Sequence, residues 1–163
     1  MIRITKSEIV PGMELSWMEL DLDMVGVDFT GCIMNHMDID GVDFTGADMS
    51  GANLEGCSMN HVGIDGVDFT GANLSGARLS MVSGIQADFS GANLEGAKLR
   101  FCNMVKTNFS GANLRNAQIT NSSMRCAKVT GAEAGGMLID MVNLAGSDFS
   151  GLIMESAIRS KTT

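Results

Sequence analysis

Starting at Met24, every fifth residue is large and apolar. The series begins Met24, Phe29, Met34, Ile39, Phe44, Met49, Leu54, Met59 and keeps its register to Met154, with only Gly84 and Ala134 out of character. Two residues ahead of these centres runs a second series of mostly small side chains, among them Val27, Cys32, Ala47, Ala52, Cys57, Ala72, Ala92 and Ala97. A step of five fits neither regular element. On an α-helix it points roughly 140° away from its start, and on a strand an odd step changes face. The chain therefore turns a corner inside each five-residue unit and returns every centre to the interior of a coil. That pattern predicts a β-solenoid.

The phenylalanines count its sides. Phe29, Phe69, Phe89, Phe109 and Phe149 are spaced by multiples of 20, with Met49 and Val129 filling the gaps. A second column, Leu54, Leu74, Leu94 and Leu114, is preceded by Asn53, Asn73, Asn93 and Asn113. Four five-residue sides per turn stack both columns. The near-identical stretches "MNHMDIDGVDFTGA" (34–47) and "MNHVGIDGVDFTGA" (59–72) lie 25 residues apart, a shift of five units. That offset reports duplication rather than structure, and it predicts four nearly equivalent sides.

The units "VDFTG ANLSG ARLS", "ADFSG ANLEG AKLR" and "TNFSG ANLRN AQIT" resemble the A(D/N)LxX repeats of the pentapeptide-repeat family. The resemblance covers residues 22–158. It implies an all-β fold, a right-handed quadrilateral β-helix of about 6–7 coils, roughly 32 Å long at strand spacing. Residues 1–21 are expected to form an N-terminal cap with degenerate repeats. There "MELSW" and "MELD" look like two units with one residue deleted, centred on Leu15 and Leu20. Residues 159–163 form a C-terminal tail. At that end Leu152, Ile153, Met154 and Ile158 are apolar where outward residues should be polar. Family members often join end to end through the C-terminal coil, so these four residues are the candidate dimer end.

Composition narrows the function. The net charge of −8 argues against direct nucleic-acid binding through a basic patch. No apolar run reaches the length of a membrane span, and "MIRITKSEIVPG" has no signal-peptide core, so a cytoplasmic protein with no membrane contact is expected. The charge is also uneven. Residues 1–77 carry 13 acidic and 2 basic side chains, and residues 78–163 carry 6 and 9.

Cys32, Cys57 and Cys102 occupy the small inward position and read as core, while Cys126 falls outside it as the one accessible thiol. His36 and His61, from the duplicated "MNH", fall on adjacent sides without a set of ligands around them. No nucleophile, base and orienting group can be assembled, so neither enzyme activity, a cofactor nor a metal is expected.

Asp28, Asp48, Asp68, Asp88 and Asp148 precede the phenylalanine column, where Asp or Asn readily bonds turn backbone. The same residues also make a row of charges. With Asp38, Asp40, Asp43 and Asp65, the N-terminal members Asp28, Asp48 and Asp68 form a candidate acidic surface for a protein partner. The first expectation is a non-catalytic scaffold or protein-interaction rod. The resemblance implies an alternative, because quinolone- and related toxin-resistance members bind DNA gyrase or topoisomerase IV in place of DNA. The acidic part spans roughly 14 Å, about four base pairs of duplex at 3.4 Å each. Gly84 and Ala134 each leave out a core side chain, predicting small voids or bulges unless Ile85 or Met137 fills in.

Overall fold

The computed structural model describes residues 2–154. Strands β1 (Ile2–Ile4) and β2 (Met18–Leu20) come first, with a short 3-10 turn at Lys6–Glu8 between them. Six more three-residue strands then recur every twenty residues: β3 (Asp38–Asp40), β4 (Ser58–Asn60), β5 (Arg78–Ser80), β6 (Lys98–Arg100), β7 (Gln118–Thr120) and β8 (Leu138–Asp140). These six form one parallel sheet, in which Ile39, Met59, Leu79, Leu99, Ile119 and Ile139 stand in one register column. Three further columns of parallel bridges pass through Asp23 and Asp43, through Asp28, Asp48 and Asp68, and through Asn53, Asn73 and Asn93. Four columns make four faces. The fold is a β-solenoid of about seven turns.

The corner explains why five residues suffice for a side. The N–H three residues after a centre donates back to that centre's carbonyl, as in Cys32 to Phe29 (2.9 Å) and Ala92 to Phe89 (3.0 Å). The residue between them sits at positive φ, +64° at Gly31 and +63° at Gly91. A turn closed from i to i+3 with only its third residue at positive φ is type II, and glycine takes that conformation without a Cβ clash.

The sides are not equivalent, contrary to the duplication argument. Three faces carry a single bridge per unit and a closed type II corner. The fourth carries the three-residue strands, and among the described residues no i to i+3 bond closes the corner that leaves it. Its corner positions are also mostly not glycine: Gly41 is followed at twenty-residue steps by His61, Met81, Phe101, Asn121 and Met141.

Every centre from Met24 to Ala134, glycine aside, is buried. The phenylalanine column stacks as expected. Phe69 and Phe89 lie 4.6 Å apart and 6° from parallel, and Phe89 and Phe109 lie 5.2 Å apart at 10°. The small inward position has a second use. Cys57 Sγ donates to the Met34 carbonyl at 2.7 Å and Thr107 Oγ1 to the Gly84 carbonyl at 2.8 Å, so a polar atom there bonds the turn of the previous coil. At the N-terminus Leu15 and Leu20 are buried, and Glu14 bridges Ile33, one residue short of the twenty-residue step. A missing residue in the degenerate repeats accounts for that offset. β2 pairs with β1 and not with β3.

Gly84 leaves neither void nor bulge for Ile85 to fill. A Cβ there would stand 2.7 Å from Met104 Sδ and 3.2 Å from Ile64 Cγ1, because the same column one coil to either side has grown into the gap. Ile85 instead gives its N–H to Asp65. At the other site Ala134 is fully buried, and Met137 packs half-buried against the core.

Two substitutions check this packing. Phe89→Ala removes the middle ring of the stack and should cost about 3–5 kcal/mol in urea unfolding; a loss below about 1 kcal/mol would contradict the stacked column. Gly84→Leu overpacks occupied space and should lower stability by about 1–3 kcal/mol, whereas Gly84→Ala asks Met104 to shift and Ile64 to give slightly and should be milder.

Candidate functional site

The turn rule that shapes the corner also positions the acidic side chains. The residue before each centre points outward, and on the three bridged faces, where it is Asp or Asn, its Oδ1 accepts the N–H of the residue two places on in all but Asn103. Asp28 accepts from Thr30 (2.9 Å), Asp43 from Thr45 (2.9 Å), Asp48 from Ser50 (2.9 Å) and Asp68 from Thr70 (2.8 Å). Asn53, Asn73 and Asn113 do the same on the next face. These are Asx turns.

The seven acidic candidates are divided among three faces. Asp28, Asp48 and Asp68 share one ladder, each bridged to the next, and Asp88 continues it. Asp43 stands on the preceding face, bridged to Asp23. Asp65 sits at the corner between these two faces and is occupied structurally, accepting from Ser83 Oγ and the Ile85 N–H, both at 2.7 Å. Asp38 and Asp40 flank the centre of β3 on the strand face, and Asp40 meets His61 Nδ1 at 3.1 Å. The acidic surface is therefore a wrap around the first coils and not one stripe.

Two adjacent ladders now differ in an informative way. On the asparagine face each Nδ2 also donates to the Oδ1 one coil back: Asn73 to Asn53 (3.2 Å), Asn93 to Asn73 (3.2 Å) and Asn113 to Asn93 (3.0 Å). A carboxylate only accepts, so Asp28, Asp48 and Asp68 keep the turn bond but cannot bond one another along the column, although the Thr30 side chain one coil back also bonds Asp48. They instead stack like charges at the strand spacing of about 4.8 Å. Where the column switches to Asn108, its Nδ2 donates to Asp88 at 3.1 Å. Lys128 then stands between Asn108 and Asp148.

The carboxylates respond accordingly. The hydroxyl and backbone N–H of Ser50 hold Asp48 below the usual carboxylate range. Burial pushes Asp88 upward, but Ser90, Asn108 and the Lys128 charge together bring it below its ordinary value. The Ser150 N–H and hydroxyl lower Asp148, with Lys128 contributing. Cys57 and Cys102 are buried thiols pushed up to about 11, and Cys126 is exposed. Among the described residues no group of three or more His, Cys, Asp or Glu is placed to hold a metal ion, and no helix is long and apolar enough to cross a membrane.

At the C-terminal end no other described residue packs over the last described coil. Met137, Ile139, Leu144, Phe149, Leu152 and Met154 line an open apolar concavity, with Ile153 exposed beside it. Ile158 lies outside the described residues.

The family model for pentapeptide repeats matches residues 23–60, 64–100 and 87–125, in eight copies. No curated protein sequence matches the chain. Among solved structures, two trypsin-treated forms of QnrB1, a plasmid-mediated fluoroquinolone resistance protein, are similar. One has TM-score 0.57 and 23% identity, covering 92% of this chain and 71% of that one. The other has TM-score 0.51 and 22% identity, covering 80% and 71%. HetL, a pentapeptide repeat protein involved in heterocyst differentiation regulation in the cyanobacterium Nostoc sp. strain PCC 7120, superposes with TM-score 0.31 at 18% identity, covering 94% and 89%. At these identities the likeness is one of fold.

The carboxylate shifts fix a pH dependence. A carboxyl lowered in the folded state stabilises the fold above its unfolded value, roughly pH 3.9, and that contribution disappears as pH falls through the folded value. Urea unfolding of the parent should therefore weaken steeply below about pH 4. Asp48→Asn keeps the turn acceptor without a titrating group and should show a shallower acid limb.

Proposed function

The chain belongs to the pentapeptide repeat family, and on that premise we propose that it is a non-catalytic protein-binding rod whose acidic N-terminal coils are the contact surface. What supports this reading is the contrast between the two neighbouring ladders. Asparagine meets every local requirement of the position before the centre and adds a bond between coils. Asp28, Asp48 and Asp68 meet the turn requirement and stack like charge without bonding one another. Asparagine would add bonds between coils there, so a column that keeps negative charge instead serves something outside the chain. Asp43 extends the same charge around the corner. The open C-terminal coil, with Leu152, Ile153 and Met154, is the end through which two such rods would join.

A second reading specifies the partner as a type II topoisomerase, contacted in place of DNA. Two features favour it: carboxylates repeated at strand spacing along a rod, and a likeness in fold to a fluoroquinolone resistance protein. The acidic column is short beside a DNA duplex, so the contact is confined to a few base pairs' length. It involves protein alone, with no nucleic acid bound directly.

Replacing Asp28, Asp48 and Asp68 together by Asn separates stability from binding. The variant should melt higher, by roughly 1–4 °C, while losing partner affinity. On the topoisomerase reading, the parent protein should inhibit gyrase supercoiling or reduce fluoroquinolone-induced cleavage at micromolar concentration, and the triple variant should do neither. An inert parent would dismiss the topoisomerase. A triple variant that melts lower would dismiss the argument from the ladder.

A further inference from the structure

The strand face carries features that neither the core nor the acidic ladder explains. At its open corner Met81, Phe101 and Met141 occupy the left-handed region, with φ of +54°, +55° and +52°. L residues with bulky side chains rarely adopt this conformation, and glycine takes it freely at most other corners. None of the three is buried in exchange: they are 53%, 53% and 77% exposed. Beside them on the same face stand the exposed cations Arg78, Lys98 and Arg100, with the Arg100 guanidinium 5.8 Å from the centre of the Phe101 ring. Two coils before β5 the face is acidic, through Asp38 and Asp40.

From this arrangement we propose that the strand face binds a second copy of the chain, side by side and antiparallel. A two-fold axis lying in the interface along the strand direction reverses the rod while keeping each corner against the partner's corner. Only the placement of that axis along the rod remains to be chosen, and charge chooses it. Centred between β4 and β5, it sets Asp38 opposite Lys98, Asp40 opposite Arg100, and Ser58 opposite Arg78 of the other copy. Moved one half-step toward the C-terminus, it puts Arg78 against itself. Moved a full step, it puts Arg78 against Lys98, and Asp40 against Asp140.

The favoured register also accounts for the corner. It sets Phe101 against Gly41, where an added Cβ would meet nothing within 4 Å, and Met81 against His61. A corner without a side chain leaves room for the ring of the other copy. Because the symmetry is isologous, every contact occurs twice. One face four strands tall is small beside the roughly 800 Å² per partner of a standard interface, so the association is weak, reversible and sensitive to salt.

The proposal removes Asp38 and Asp40 from the partner-binding surface and does not depend on Asp28, Asp48 or Asp68, so the two readings fail separately. The test is analytical ultracentrifugation of the full chain over two orders of magnitude in concentration, at low and high salt. Beside the salt-resistant joining of C-terminal coils proposed above, the expected result is a self-association weakened by salt. Lys98→Glu with Arg100→Glu should weaken it at least about tenfold, and so should Asp38→Lys with Asp40→Lys. Mixing those two variants should restore a dimer containing one of each. Phe101→Gly should also abolish that association while leaving the unfolding midpoint unchanged or higher, because glycine relieves the corner; that outcome separates lost contact from lost folding. A parent that stays monomeric throughout would overturn the proposal. So would a dimer that ignores both charge variants and disappears only with Met154→Asp at the C-terminal end, or charge variants that fail to recombine.

Discussion

The rod depends on one backbone constraint: each side must end in a corner that turns the chain onto the next of four faces within two residues while passing its N–H and C=O groups to the neighbouring coils. A left-handed residue at the end of every unit satisfies it, as at Gly31, Gly71 and Gly91. Once that corner recurs every five residues, the rest follows. The centre must face inward, and the residue two before it is mostly small because it packs beside the previous coil's turn, where Cys57 and Thr107 bond carbonyls 23 residues back. Where the residue before the centre is Asp or Asn it can accept the corner N–H, as Asp28, Asp48 and Asn73 do, but Lys128 and Gly63 hold the same position without it. Core, turn and surface are thus three readings of one five-residue unit.

This coupling explains which features the sequence revealed. The four-sided coil, the stacked Phe69, Phe89 and Phe109 rings, the buried Cys32, Cys57 and Cys102, and the offset in the cap all follow from register, and register is written in side-chain size. What register could not show was any property set between coils. The inequality of the four faces depends on which corner closes its turn, and a duplication that moved a segment from one face to the next concealed it. The filling of the Gly84 gap depends on Ile64 and Met104, twenty residues away on either side, rather than on the adjacent Ile85.

The acidic surface was legible as composition and only partly as geometry. Asp28, Asp48 and Asp68 share a ladder because they share a register position. Asp65 had the same formal charge but is engaged by Ser83 and Ile85, and Asp38 and Asp40 belong to another face. The asparagine ladder on the neighbouring face is the internal control that gives the aspartates meaning. It has the same backbone geometry and the same turn bond, with an added bond between coils in place of stacked charge.

The central claim is that the aspartate column displays like charge where the neighbouring face gains bonds between coils. The most direct measurement is urea unfolding of the unmodified protein at pH 7 as sodium chloride is raised from low to moderate concentration. Urea carries no charge and leaves the screening to the salt. If the aspartate column is held against its own repulsion, the unfolding midpoint rises as salt screens it. If the midpoint falls, the carboxylates are net stabilising through pairing, and their retention needs no partner to explain it.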